Sequence, residues 1–204
     1  MKILKLWMTL AAVSLMLIPT SLYADSLLSQ GMPVTGSGYY NSGGEVFPFD
    51  NVTDGNFGDT GAAYNWSFWL SPNGQNGYVT IDLQNLYSVT SFMVQDTHNR
   101  GYYDRGTNGF QILLSTDNVN FSNVVTSSFT SSEWSNLTIK TYNITPATAR
   151  YVQFLVDSRY GSSAGINELQ VYGNPVPLPP SVLLLGSGLL GLGLLGRRKW
   201  GLKK

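Results

Sequence analysis

The sequence predicts an all-β domain, a sandwich or barrel, set between two targeting segments. Three observations carry this reading. Between Leu27 and Tyr172 the apolar residues come in short runs rich in Val, Ile, Thr, Tyr and Phe, broken by Gly, Asn, Asp and Ser, with no sustained 3.6-residue period. In the clearest run Val79, Ile81 and Leu83 alternate with polar neighbours, as a strand with one buried face requires. The charges are also segregated. All 12 acids lie between Asp25 and Glu168, where five bases accompany them, so five minus twelve leaves that stretch at −7 while both ends are basic.

Taken in order, residues 1–24 read as a secretory signal peptide. Lys2 and Lys5 precede the apolar run Leu6 to Ile18, then Pro19, and Leu22-Tyr23-Ala24 offers a small residue for cleavage before Asp25. An uncleaved anchor is the alternative, though the apolar run is short against the ~20 residues of a membrane span. Residues 25–173 form the predicted domain, with candidate strands at Gly77–Leu83, Val89–Gln95, Gly109–Ser115, Leu137–Tyr142, Arg150–Val156 and Glu168–Tyr172. Asp117-Asn118-Val119-Asn120 supplies turn chemistry after Ser115. Residues 174–180 are a proline-rich, extended linker. Ser181 to Gly196 carries no charge and is followed by Arg197-Arg198-Lys199, which predicts a transmembrane helix over 181–196 and a cytoplasmic basic tail over 197–204.

Composition excludes several functions. A domain at −7 repels a phosphate backbone, so nucleic acid is not an expected partner. There is no cysteine, hence no disulfide, thiolate nucleophile or thiolate metal site, and His98 is the single histidine. No Gly-x-Ser-x-Gly elbow occurs, and no enzyme is expected. Five Asn-x-Ser/Thr sequons, at Asn51, Asn65, Asn120, Asn136 and Asn143, read as chance in an Asn/Ser/Thr-rich chain.

Two resemblances follow from these residues. Val176-Pro177-Leu178-Pro179-Pro180, the glycine- and leucine-rich run 181–196 and Arg197-Arg198-Lys199 resemble a PEP-CTERM sorting tail of the VPLP variant, with leucine at 178 where the commoner form has glutamate. That resemblance implies an exosortase-type processing enzyme as partner, and a bacterial protein held at the membrane and then passed to the cell surface or an extracellular matrix. A permanent C-terminal anchor is the alternative. The order of Met32-Pro33-Val34-Thr35, Val52-Thr53-Asp54-Gly55-Asn56, Trp69, Val79 to Leu83, Phe110-Gln111-Ile112 with Ser115-Thr116-Asp117, Ala149 to Val152 and Ile166 to Gly173 resembles the discoidin, or coagulation factor 5/8 type C, family. It implies a galactose-binding-like jelly roll that binds carbohydrate, here an exopolysaccharide. The alternative is a structural matrix or cell-adhesion protein with protein contacts and no sugar site.

Two segments hold the candidate functional residues. Asp50 to Thr60 places three carboxylates among amide and hydroxyl oxygens, which suits calcium with its about six to eight oxygen ligands. The family resemblance implies Asp54 and Glu168 as side-chain ligands, Asn51 and Asn56 through their main chains, and Asp59 or Thr60. An ordinary Asp-Gly turn is the alternative. Asp96 to Asn108, expected to be too polar to be buried, mixes planar aromatics with hydrogen-bonding forks, the two requirements of a sugar site. His98, Asn99, Arg100, Tyr102 and Tyr103 are its first candidates, with Trp66, Tyr39, Tyr40 and Tyr160 behind them; the alternative is that Asp104 and Arg105 simply pair to hold a long loop and that aromatics such as Trp66 or Trp69 belong to the core. A packing role is expected for Trp134.

Overall fold

Two strands of 18 residues each, Tyr78–Gln95 and Ile139–Val156, organise the domain in the computed structural model, which describes residues 24–62 and 64–176. In chain order the strands are β1 Ser26–Leu27, β2 Val34–Gly36, β3 Asn41–Ser42, β4 Glu45–Val46, β5 Gly61–Ala62, β6 Asn65–Trp66, β7 Trp69–Leu70, β8 Tyr78–Gln95, β9 Arg105–Thr107, β10 Gly109–Ser115, β11 Ser122–Ser128, β12 Ile139–Val156, β13 Arg159–Gly161, β14 Gly165–Ile166 and β15 Glu168–Pro175. A 3-10 turn covers Phe49–Thr53, and the short helix α1, Ser131–Ser135, opens on a capping box between Thr130 and Glu133.

The sequence divides each long strand in two, and the structure joins the halves. Gly77–Leu83 and Val89–Gln95 fall within β8 apart from Gly77. Arg150–Val156 and most of Leu137–Tyr142 fall within β12, although Leu137, at φ 49°, stands outside it. The two strands pair antiparallel from Tyr78 opposite Leu155 to Gln95 opposite Ile139, with two irregularities, one between Asn143 and Ala147 and one, at the corner, between Ala149 and Tyr151. There Gln84 takes φ 65°, and Arg150 donates twice to Asp82, at 2.7 and 2.8 Å. A bulge of this kind lets one ribbon turn a corner and serve two layers. The Tyr78 half of β8 pairs with β2 and the Gln95 half with β15, while the Val156 half of β12 pairs with β10, which carries β11 at its edge.

The core fills the space between the layers. Val79, Ile81, Phe110, Ile112, Val152 and Phe154 from one half meet Phe92, Val94, Leu169 and Val171 from the other, all fully buried. Phe110 stacks on Phe154 with ring centroids 4.8 Å apart. Fully burying a side chain of this size stabilises the fold by roughly 1.5–3 kcal/mol, and the aromatic pair adds about 0.5–1.5 kcal/mol.

Bending the ribbon brings both of its tips to one end of the sandwich. The segments leaving them interlock there, since β9 pairs with β13 and Thr107 N–H donates to Asp96 just after β8. The first and last described residues lie beside the tail of β15, where Ser26 sits opposite Gly173 and Asp25 accepts from Thr90 and Asn174. Among the described residues no helix is long and apolar enough to cross a membrane. The predicted signal peptide up to residue 23, the linker beyond Val176, the predicted span 181–196 and the basic tail lie outside the described residues.

Candidate functional site

The loop that leaves β8 is built on a buried base. Contrary to the expectation that its polarity would keep it exposed, Asp96, Thr97, Asn99 and Thr107 are buried. Local hydrogen bonds make this tolerable: Asp96 Oδ1 accepts from the N–H groups of Thr97 and Thr107, and Thr97 Oγ1 accepts from Asn99 N–H. Asp96 Oδ2 has no partner, and burial, ahead of the opposing hydrogen bonds and the nearby Asp59 charge, pushes this carboxyl well above the usual carboxylate range.

Past that base the chain turns sharply. Asn99, Arg100 and Tyr103 take φ of 55°, 60° and 53°, and Gly101 between them takes 83°. Left-handed backbone costs a non-glycine residue roughly 1–2 kcal/mol, so the surroundings must hold it. They do so largely through Asp59, whose side chain is only 3% exposed and whose Oδ2 accepts from the N–H groups of His98 at 3.0 Å and Arg100 at 2.7 Å. Tyr102 and Tyr103 N–H groups close back on the carbonyls of Asn99 and His98.

This turn aims Asn99, Arg100 and Tyr102 into an open cavity of about 230 Å³. The opposite wall comes from the β3–β4 hairpin and its flanks: Tyr40, Glu45 and Phe47. The Arg100 guanidinium lies 4.1 Å from the Trp66 ring and 5.3 Å from the Tyr102 ring, and its Nη1 is 3.6 Å from Glu45 Oε1. Arg105 repeats the arrangement over Tyr40 at 4.3 Å, with its Nε 3.9 Å from Asp104 Oδ2. Both charge pairs are therefore too long to be hydrogen bonds. Asp104 Oδ1 accepts from Asn99 Nδ2 at 2.8 Å, and Glu45 Oε2 accepts from Trp66 Nε1. Tyr102 is 69% exposed and presents its ring at the rim.

The other sequence candidates lie elsewhere. His98 Nδ1 is 2.8 Å from Gly101 N and 2.9 Å from Asp59 Oδ2; unprotonated it accepts from the first, protonated it donates to the second. Tyr103 packs on His98 at 4.7 Å and edge-on against Trp134. Tyr160 stacks on Trp134 at 4.3 Å and donates its hydroxyl to Phe129 O. Trp134 donates to the carbonyls of Thr97 and Arg105, pinning the base of the loop. Tyr39 meets Phe49 edge-on, away from the cavity lining. Sequence reasoning missed Glu45 and Phe47. Asp104 and Arg105 it saw only as a pair that could hold the loop.

The acidic loop sits beside this cavity. Asp54 Oδ1 accepts from Asn56 N–H, and Glu168, fully buried at the start of β15, accepts from Gly55 N–H through Oε2. Glu168 Oε1 has no partner. Burial, foremost, and the charge of Asp54 push the Glu168 carboxyl up to about 8. Asp54, Asn56 and Thr60 line a second, polar cavity of about 200 Å³ together with Asn65, Trp66 and Ser67. The Asn51 side chain donates to the carbonyls of Trp66 and Phe68, and Asp59 is spent on the neighbouring loop and on Asn167. Among the described residues no three His, Cys, Asp or Glu side chains cluster for a metal. A cation here would draw on Asp54, Glu168 and hydroxyl, amide or main-chain oxygens. That donor set suits a hard ion such as calcium and would neutralise the orphaned Glu168 oxygen.

A family model described as the F5/8 type C domain matches residues 33–169. No match to a curated protein was found. Among solved structures the chain is similar to CpGH89CBM32-5 from Clostridium perfringens, in complex with GalNAc-β-1,3-galactose, at 20% identity and TM-score 0.58, covering 72% of this chain and 99% of that one. It is also similar to chitosan-binding module 1 of a chitosanase/glucanase from Paenibacillus sp. IK-5, at 19% identity and TM-score 0.56, covering 72% and 99%. The family 32 carbohydrate-binding module of NanJ from C. perfringens, in complex with galactose, shows 18% identity and TM-score 0.56 over 73% and 99%.

Proposed function

Because the chain belongs to the F5/8 type C domain family, we propose that it is a non-catalytic module that binds carbohydrate in the cavity between the β3–β4 hairpin and loop 99–105. One observation carries this reading: two guanidinium groups, each lying over an aromatic ring, form ion pairs with two carboxylates at 3.6 and 3.9 Å, too long for a hydrogen bond between them. A sugar hydroxyl donates and accepts at once, so it can bridge such a pair, while a C–H face rests on the exposed Tyr102 ring. The saccharide complexes of two of the similar structures support the same reading. The cavity lies below the ~300–1,000 Å³ of common ligand pockets, which favours a single ring over a long segment of chain.

The proposal extends to a structural calcium held by Asp54 and Glu168, with Thr60 and the main chains of Asn51 and Asn56. It extends also to export by residues 1–24 and display by the sorting tail, processed by an exosortase-type enzyme, at the bacterial surface or in its exopolysaccharide. What supports these is the chemistry of the acidic loop and the order of segments in the sequence.

The test is a glycan array probed with the full exported chain, with calcium and with chelator. Saccharide binding that falls at least tenfold in Arg100→Ala and in Tyr102→Ala supports the reading. If no glycan binds while calcium still raises the melting temperature, the protein is a matrix or adhesion component instead.

A further inference from the structure

We propose that Asp59 is a positioning residue for the saccharide cavity, holding Asn99 and Arg100 in the backbone conformation that turns their side chains into it. The inference rests on the cavity reading above and names the residue on which that cavity depends. Asp59 lies outside the cavity lining, some forty positions before the loop it holds.

The geometry has three parts. First, the N–H groups of His98 and Arg100 flank a left-handed residue, Asn99, and converge on one oxygen, Asp59 Oδ2, at 3.0 and 2.7 Å. Successive main-chain N–H groups in such a turn form a concave nest for an anion, and here the anion is supplied by the chain itself. Second, the carboxylate is fixed from behind. Asn167 Nδ2 donates to Asp59 Oδ1 at 2.7 Å and also to Asp96 O, and Asn167 Oδ1 accepts from Ser67. Third, the residues on either side of Asp59 are tied down. Gly58 N–H donates to Gln95 Oε1, and Thr60 N–H donates to Ser67 Oγ at 3.0 Å. The carboxylate thus arrives on an anchored strap and acts as a lock for the neighbouring loop.

Loop 98–103 has bonds of its own, from Gly101 N–H to His98 and from Tyr102 and Tyr103 N–H back to Asn99 and His98. These close the turn but do not fasten it to the rest of the domain at its apex. Asp59 does, at the residue that carries the guanidinium. One consequence is that whatever orders residues 54–60 also orders the saccharide loop, so the two segments act as a coupled pair.

The experiment uses amide hydrogen exchange by NMR, which needs no ligand, together with galactose as a binding probe. In the wild-type chain the His98 and Arg100 amides are expected to be protected and shifted downfield, as charge-assisted hydrogen bonds make them. In Asp59→Asn, which keeps the size and loses the charge, they should exchange at least about tenfold faster while the amides of Ile81 and Phe154 in the core strands keep wild-type rates, and galactose affinity should fall by a similar factor. Wild-type His98 and Arg100 amides that exchange as freely as an exposed loop would overturn the lock, and that measurement does not depend on the variant folding. An Asp59→Asn chain that binds galactose as the wild type does would overturn the positioning role. If the wild-type chain binds no saccharide, the cavity reading fails on its own and amide exchange alone decides whether Asp59 locks the loop.

Discussion

Arg100 shows how much one residue asks of its surroundings. Its backbone sits at φ 60°, its guanidinium lies over the Trp66 ring, and the nearest carboxylate stops 3.6 Å short of it. Arg100→Gly separates the two roles, because glycine takes that φ without the roughly 1–2 kcal/mol cost while removing the guanidinium. The variant is expected to lose saccharide binding and keep its thermal midpoint, which a melt and a binding titration on one sample would check. Glu168 poses the opposite question, since its buried Oε1 lacks any partner. Calcium at 100 times its dissociation constant should stabilise the domain by about 2.7 kcal/mol, and Glu168→Gln should abolish that gain. Equal melting temperatures in calcium and in chelator for the wild type would sink the metal reading.

At the scale of elements, the β8–β12 ribbon carries the fold. Its corner is pinned by Asp82 and Arg150, and the Arg150 hydrogen bonds hold the Asp82 carboxyl below its ordinary range. A carboxyl depressed in the folded state contributes stability that is present above its unfolded value of 3.8 and lost as pH falls through the lower folded value. Asp82→Asn is therefore expected to melt below the wild type at pH 5, with the gap closing below pH 3.8. A gap independent of pH would mean that the pair contributes through shape alone. In the core, Phe154→Ala leaves a void where Phe110 stacks, at a cost of ~3–5 kcal/mol in urea unfolding, with binding intact wherever the chain stays folded.

For the molecule as a whole, the decisive fact is where the ends of the described domain lie. The described segment begins and ends beside Ser26 and Gly173, while the cavity lies between loop 99–105, which follows the far tip of β8, and the β3–β4 hairpin. A tether following Val176 would leave the cavity free. A single weak site supplies only about 4 kcal/mol at a millimolar dissociation constant, so many copies on one surface are what would make it useful. Immobilising the domain through its C-terminal end should leave galactose affinity unchanged in a surface-plasmon assay and raise avidity for a polysaccharide by up to ~10²–10⁴-fold as density rises. A drop in monosaccharide affinity on C-terminal coupling would place the tether against the site.

The sequence by itself determined the all-β class, the central strand segments and the turn at Asp117, whose carboxylate accepts from Val119 and Asn120 N–H. It did so because a buried face forces alternation and a turn forces residues that tolerate it, and both constraints are local. The capping box at Thr130 and Glu133 was equally legible as a spacing and went unread. Strand β11 was not legible: its exposed edge selects Ser, Asn and Thr, which resemble a loop. The candidate loop could be found from its mixture of aromatics and polar forks, yet which of its residues face the cavity could not. His98 and Tyr103 turn away because Asp59 sets the backbone between them, and Glu45 enters because a hairpin over fifty positions upstream folds across. Only the tertiary structure decided these, since the bonds that aim a side chain in a left-handed turn come from residues far away in the chain and leave no pattern in the residues they hold.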